Sequence, residues 1–577
     1  MKLTRKIKDQ FAGLGESAAR YPITALLSFA LMIILITLSE RNIRGYYENE
    51  TLTRISMTFA LGLPLSVSLK HLVERFTKRG SGLLLLIPVN AVLLGAYYFF
   101  FTKDMNATDY MRYAGTLFFL LVTVFFTLKI RRNEKYEVYV MRIFSGFFLT
   151  VLYAGVLYLG VAAIIFTINS LFDAEIDSKY YLYVFFFTAF VFGMLMLLSK
   201  LPKEEETFEG SVYSKGLKVL VLYIVIPLIT IYTGILYVYF AKILFTQVWP
   251  RGLVSNLVLW YSVLSAAVIF FITPILEENK VAMLFRTWFP RISFPILAMM
   301  FVSIGIRIRQ YGFTEPRYFV VLLGIWVALI MGYYVARRQL KNTFVPMSLA
   351  VFVLLSMYGP LSAFNVSANS QNARLTALLE KNSMLVSGEV VPGKEVSTDD
   401  KRDISSIVLY FSERGFEKLS YLPEDFQFQD FNKVFGFDPF ADNYFPGQRY
   451  LYLHAEPNNK GIDIAGYDLY FPLATYQAAA SEKPGIEASL SSADQIIRLK
   501  DQDQVIFEVS IAKELQAFLD TYGENDGKKV LSYDDLSFLV EDKGIKAKVI
   551  VRDLSATIQT DTPRYESIDL ILLVDLP

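Results

Sequence analysis

The chain has 577 residues, 54% hydrophobic and 19% charged, with 56 basic side chains against 55 acidic ones and a mean hydropathy of +0.39. This balance excludes a soluble cytosolic enzyme, a disordered scaffold and a dedicated nucleic-acid binder, and points to a membrane protein. Zero cysteines and two histidines remove disulfides, thiolate metal sites and cysteine nucleophiles, so no cofactor or metal is expected.

A helix crossing a bilayer core needs about 20 mainly apolar residues, because backbone groups left unpaired in hydrocarbon are costly. Eleven segments meet or approach that requirement: 21–39, 55–69, 82–101, 111–128, 143–168, 180–199, 219–241, 253–276, 292–306, 318–336 and 343–362. The second and ninth are the shortest, each with about 15 clean apolar positions. Lys2, Arg5, Lys6, Lys8 and Arg20 precede the first, which is long and lacks a small-residue cleavage site, so it reads as a retained helix rather than a signal peptide.

Orientation is expected from the basic residues flanking the spans. The N-terminus and every second loop together hold 24 Lys and Arg, whereas the intervening loops, Arg112 included, hold 11. Basic loops stay in the cytoplasm, so the richer set is assigned there. An odd number of spans then places everything after Ser362 outside the bacterial cytoplasmic (inner) membrane.

After Ser362 the composition turns polar and no run is long enough to cross a bilayer. The expected organisation is a multi-span domain over 1–362, a linker over 363–403 carrying a short helix near Ala373–Lys381, and a soluble extracytoplasmic α+β domain over 404–577. Within the last, helical spacing runs from Ile404 to Leu419, at Asp430–Phe435 and at Lys513–Tyr522. Strand patterns cover Tyr450–His454, Gly461–Phe471, Ile496–Leu499, Val505–Ile511, Ala547–Val551 and Ile568–Val574.

Within the eleven span limits the only Asp, Glu, Lys, Arg or His is Arg112, one residue from an end. Ion-coupled transporters usually carry charges near the midplane, so that chemistry has no obvious residues here. Asn90 and Asn169 read as interhelical hydrogen bonders, and Pro64, Pro227 and Pro274 as ordinary kinks. His71, beside Lys70 and Glu74, reads as a surface histidine at a helix end. His454 sits in a strand with no second histidine near it. No GxSxG elbow, Walker A loop or HExxH helix is present, and no catalytic residue is assigned.

Polar residues gather instead at the outer ends of the later spans. One loop holds Lys242 and Trp249-Pro250-Arg251-Gly252; another holds Arg307, Arg309, Tyr311, Thr314, Glu315, Pro316, Arg317 and Tyr318. Guanidinium forks pair well with phosphate and carboxylate, while Tyr, Trp and Arg also serve simply to fix helix depth at head-group level. The candidate binding rim is therefore Arg251, Arg309, Tyr311, Thr314, Glu315, Arg317 and Tyr318.

The loop Pro250–Ser255, the Tyr311–Tyr318 signature Tyr-Gly-x-Thr-x-x-Arg-Tyr and the Gly466-Tyr467-Asp468 strand resemble a DUF4153-like family of polytopic bacterial membrane proteins, catalogued as a domain of unknown function. The resemblance implies location and architecture, without an activity. The leading expectation is a non-enzymatic envelope protein that presents its tail and its rim to membrane lipids, an anionic lipid head group, a cell-wall glycan or an envelope protein. The alternatives are a transporter or flippase for a lipid-linked or largely apolar solute, and a membrane-embedded glycan or phospholipid transferase using outer-face carboxylates such as Glu315 with aspartates of the tail.

Overall fold

The computed structural model describes residues 13–576 except 44–48, 77–82, 104, 132–134, 173, 175, 205, 207–212, 247–252, 394, 413, 416–418, 424–425, 440–447, 457–461, 475–478, 481–485, 492–493, 502–503, 523–526 and 560–561. It resolves into two units, residues 1–374 with 413–415, and residues 375–412 with 416–577.

The first unit is helical. Its apolar helices are α1 (Pro22–Ile43), α2 (Glu50–Phe76), α3 (Leu83–Phe101), α4 (Ala107–Phe126), α5 (Tyr136–Phe172), α6 (Lys179–Lys200), α7 (Lys215–Thr246), α8 (Leu253–Ile272), α9 (Lys280–Tyr311), α10 (Glu315–Ala336) and α11 (Phe344–Met357). Among the described residues nine are long and apolar enough to cross a membrane; Leu85–Phe101 within α3 and all of α11 are shorter. Each of the eleven expected segments coincides with one of these helices.

The two segments that looked short in sequence lie in long helices, α2 of 27 residues and α9 of 32. An apolar-run criterion stops at the first polar turn, whereas the helix continues wherever neighbours satisfy that turn's side chains. α2 thereby takes in Arg54, Lys70, His71, Glu74 and Arg75. Helix ends are set locally: Asn106 and Asn279 accept from the backbone N–H of Asp109 and Ala282, both at 3.0 Å, starting α4 and α9.

Two helices widen into π-turns, at Phe187–Gly193 in α6 and Leu220–Val225 in α7. Pro227 follows the second. It has no N–H to give Tyr223 and its ring crowds that carbonyl, so the wider turn relieves the conflict. In the first, Ser28 of α1 donates to the Phe190 carbonyl. A methyl group at Gly193 would lie 3.0 Å from the Thr188 carbonyl, which keeps that position small.

Helix ends gather at two poles. Arg20, Glu74, Arg75, Ile130, Leu201 and Glu204 meet at one, together with Glu137, Thr273 and Asn342. At the other, Glu40 meets Lys179, Arg54 meets Thr102, Thr116 meets Tyr358, and Tyr318 meets Leu361. Among the described residues, these helix ends read in sequence as one side of the membrane share the first pole, and those read as the other share the second. The main packed core lies within α7 to α10, around Ile269, Ile296, Met300, Val327, Ile330 and Tyr334.

α12 (Ala363–Lys381) follows as one continuous helix, longer than the short helix expected over Ala373–Lys381. The second unit then contains β1 (Leu385–Val386), β2 (Glu389–Val390), α13 (Thr398–Ser412), α14 (Phe431–Phe435), β3 (Gln448–Glu456), β4 (Leu469–Ala474), β5 (Ala479–Ala480), β6 (Ile486–Ser491), β7 (Ile496–Asp501), β8 (Gln504–Ser510), α15 (Ala512–Tyr522), β9 (Gly527–Ser532), β10 (Ser537–Asp542), β11 (Ile545–Gln559) and β12 (Thr562–Asp575).

Among the described residues the larger sheet runs β4-β12-β11-β3-β9, with β10 also on β11; the smaller runs β5-β6-β7-β8. All pairings are antiparallel except β3 with β9. Alternate residues of β11 and β12, such as Val549, Val551, Leu570 and Leu572, turn inward against Leu515 and Leu519 of α15. The strand expected over Gly461–Phe471 begins only at Leu469, because Ala465-Gly466 forms a turn with Gly466 at φ +85. The chain is a polytopic helical membrane protein followed by a sheet-rich α+β domain.

Candidate functional site

The rim at the second pole is built around the break between α9 and α10. Gly312 ends α9 at φ +69, a conformation that favours glycine, and a methyl group there would lie 2.9 Å from Gln371 Nε2 and 3.0 Å from Ser370 Oγ. α12 closes over this break: Gln371 donates to the carbonyls of Tyr311 and Phe313 at 3.1 and 2.6 Å, and the Phe313 N–H donates to Ser370 Oγ at 2.9 Å. Thr314 holds extended backbone ahead of α10, and Tyr318 donates its hydroxyl to the Leu361 carbonyl at 2.5 Å.

Arg317 donates to the carbonyls of Tyr311 and Gly312 at 3.1 and 2.8 Å and lies over the Tyr311 ring at 5.4 Å; Arg374 approaches the same ring at 6.0 Å. One guanidinium therefore covers the exposed carbonyls ending α9 and keeps its plane against an aromatic face. Arg307 and Arg374 lie near enough to repel Arg317. Among the described residues no carboxylate pairs with Arg307, Arg309 or Arg317. Glu315, the rim's one acid, is buried and accepts from Arg414 Nε at 3.0 Å. A transferase working through Glu315 would need a second acid beside it; among the described residues its ion pair is with a cation, Arg414.

Of the sequence-predicted rim residues, the structure brings together Arg309, Tyr311, Thr314, Glu315, Arg317 and Tyr318 along one turn and its flanks. Arg251 lies outside the described residues, with Pro250 and Gly252. The helix that follows them begins at this pole, since Ser255 Oγ donates to Ser303 Oγ, one turn from Arg307, at 3.5 Å. Ser370, Gln371, Arg374 and Arg414 are additions that sequence reasoning missed. Their spacing from the loop, about 60 residues for Gln371, carries no local signal.

The first pole has a different chemistry. Arg20 forms a two-pronged pair with Glu74, 3.0 and 2.8 Å, and donates to the carbonyls of Leu201 and Pro202, both at 3.0 Å. His71 is not a surface residue: it is fully buried, with Nε2 3.0 Å from the Tyr21 hydroxyl and Nδ1 3.4 Å from Thr127 Oγ1. Thr24 bonds Ser66 and Ser68 bonds Thr123 in the same seam. Buried Glu137 accepts from Asn342, which also donates to Thr273. Charged groups taken from water in this way have their partners supplied by other segments of the chain, Arg20 by α2 and the Leu201–Pro202 carbonyls and Glu137 by the turn at Asn342.

In the second unit, Tyr452 and His454 both bond Asp553 Oδ1, at 2.5 and 2.8 Å, and their rings stack. Burial opposes ionisation of Asp553, but these two bonds outweigh it and hold the carboxyl below its ordinary range. Asp400 is lowered likewise: burial is countered by Lys381, Asn382 and Ser397. No group of three or more metal-ligating side chains occurs among the described residues.

A family model described as "Domain of unknown function (DUF4153)" matches residues 23–389, which contain all of the rim except Arg414. An uncharacterized protein of Pasteurella multocida (strain Pm70) is 24% identical over 448 residues, covering 73% of this chain and 74% of that protein. No solved structure matches.

Proposed function

The chain belongs to the DUF4153 family of unknown function, and within it we propose an integral membrane protein whose second pole faces outward and recognises a phosphate- or carboxylate-bearing group, a lipid head group first among them. The observation that carries this reading is the unbalanced charge around Tyr311. Arg307, Arg309 and Arg317 have no carboxylate partner among the described residues, while the rim's only acid is buried against Arg414. A surplus of guanidinium, with Arg317 fixed by backbone carbonyls and an aromatic face, is complementary to an anion. Basic bias supports the sidedness: 24 Lys and Arg belong to first-pole segments and 11 to second-pole loops. The tail would then be extracytoplasmic, in an inner membrane, and the protein would act by recognition rather than by catalysis.

The test is binding of anionic against zwitterionic lipid to the purified full chain, with a reporter after Pro577 to assign the side. Arg307→Ala/Arg309→Ala/Arg317→Ala should weaken anionic lipid binding at least about tenfold, three lost charge-assisted contacts being worth more than one 1.4 kcal/mol step. Unchanged binding in the triple variant would defeat the rim reading, and a cytoplasmic reporter would defeat the sidedness. A transport reading has one observation in its favour, the hydrogen-bonded polar seam from Thr24–Ser66 to Tyr21–His71. Solute uptake into reconstituted vesicles would separate it from recognition alone.

A further inference from the structure

A second binding place stands apart from the rim. Between α5 and the start of α6 lies a cleft of about 970 Å³, near the top of the ~300–1,000 Å³ range of small-molecule sites. Its wall on α5 is Leu157, Val161 and Ile165, one per helical turn; opposite stand Val184 and Phe187 of α6. The apolar window of α5 contains no buried residue, so the cleft opens on the surface that hydrocarbon would cover.

Its charged groups gather at the mouth. There Lys179 pairs with Glu40 at 3.0 Å and with Asp177 at 3.9 Å, lies 5.8 Å from the Tyr180 ring, and Tyr183 donates its hydroxyl to Glu40. Asn169 steadies this mouth by accepting from the Ile176 N–H at 2.9 Å. Among the described residues two carboxylates and one ammonium meet there. An anionic head group meets repulsion from Glu40 and Asp177; a head group carrying both signs has a partner for each.

We propose that the cleft between α5 and α6 seats one zwitterionic phospholipid bearing a primary ammonium, with an acyl chain along Leu157, Val161 and Ile165, its phosphate at Lys179 and its ammonium at Asp177 and the Tyr180 face. The half-exposed carboxylate of Asp177 accepts the ammonium, and the aromatic face adds a cation–π contact. A second copy of the chain would need no charge pairing at one end of an apolar furrow; an amphiphile does. This site is independent of the rim reading and opposite to it in charge preference.

The cysteine-free sequence allows a clean test on the full chain. Ile165→Cys is labelled with a fluorophore and reconstituted at a fixed mixture of phosphatidylethanolamine and phosphatidylglycerol, with bromine on the acyl chains of one lipid or the other. The expected result is a relative binding constant about two- to fivefold in favour of the brominated ethanolamine lipid, the size of one solvent-exposed ion pair. Leu228→Cys on the exposed face of α7 should show no head-group preference. Asp177→Asn should bring the Ile165 preference to unity, and Val161→Trp should reduce quenching by both lipids. Equal quenching at Ile165, stronger quenching by the glycerol lipid, or quenching by neither would overturn the proposal, the last because some other body then fills the cleft. Monodisperse elution of each variant separates loss of preference from loss of fold.

Discussion

The two poles of the membrane unit spend their charges differently. At the first, Arg20 and Glu74 satisfy one another and two backbone carbonyls besides, His71 lies buried between hydroxyls, and Glu137 is met by Asn342. At the second, Arg307, Arg309 and Arg317 stand without carboxylates, and the acid among them has been withdrawn to Arg414. Paired burial fastens helices, because a partner removed leaves a desolvated charge behind; charge outside any ion pair, as on Arg307 and Arg309, adds little to stability and is left for something from outside. The poles therefore differ in what mutation should damage.

The sharpest way to break this contrast is at the first pole. Glu74→Gln should destabilise the purified protein by about 3 kcal/mol, read as a lowered unfolding midpoint in detergent, since Arg20 keeps its burial and loses its charge partner. A shift no larger than that of a surface variant would mean the pair is not a fastener. Next comes Gly312→Ala, which places a methyl group against Gln371 and Ser370 at positive φ and should cost about 1–3 kcal/mol in the same measurement. Its effect would come from backbone geometry, leaving the rim's charge untouched. Tyr21→Phe removes one hydroxyl from His71 and should cost about 1–2 kcal/mol. Single Arg307→Ala or Arg309→Ala should stay within about 0.5 kcal/mol of the parent while weakening anionic lipid binding. A large stability loss there would erase the distinction between the poles.

The tail adds a pH arm. Asp553 has its carboxyl lowered in the folded state, so its contribution is present above the unfolded value, near ~3.9, and fades as pH falls through the lower folded value. Asp553→Asn should flatten the acid limb of tail unfolding below about pH 4, by under about 1 kcal/mol for so solvated a group. Unfolding of the full chain followed by a tail-specific probe would show it.

Most of the architecture could be read from the residues. Apolar runs located the helices, and alternation located β7, β8, β11 and β12. β6, β9 and β10 escaped: Ile486–Ser491 is short and rich in small polar residues, and Gly527–Ser532 takes its place only by lying parallel to β3. Arg251 apart, the rim was visible because its residues, Arg309 to Tyr318, lie within a dozen positions of one another. Arg414, Gln371 and Ser370 were not, since each reaches the rim from a distant helix or turn. His71 shows the same limit in reverse: adjacent charges suggested a surface, whereas the groups enclosing it, Tyr21 and Thr127, come from 50 residues before and 56 after.

The π-turn at Phe187–Gly193 also bears on how this helix tolerates change in length. Bonding five residues back instead of four houses one surplus residue per turn, so α6 carries the equivalent of a single insertion, absorbed in place. Deleting one residue from that turn would tighten it to an ordinary helix and leave both ends of α6 in phase with their neighbours, while the same deletion a turn to either side would rotate one end by about 100°. The spare residue thus makes the middle of α6 the place where its chain can shorten without disturbing either pole.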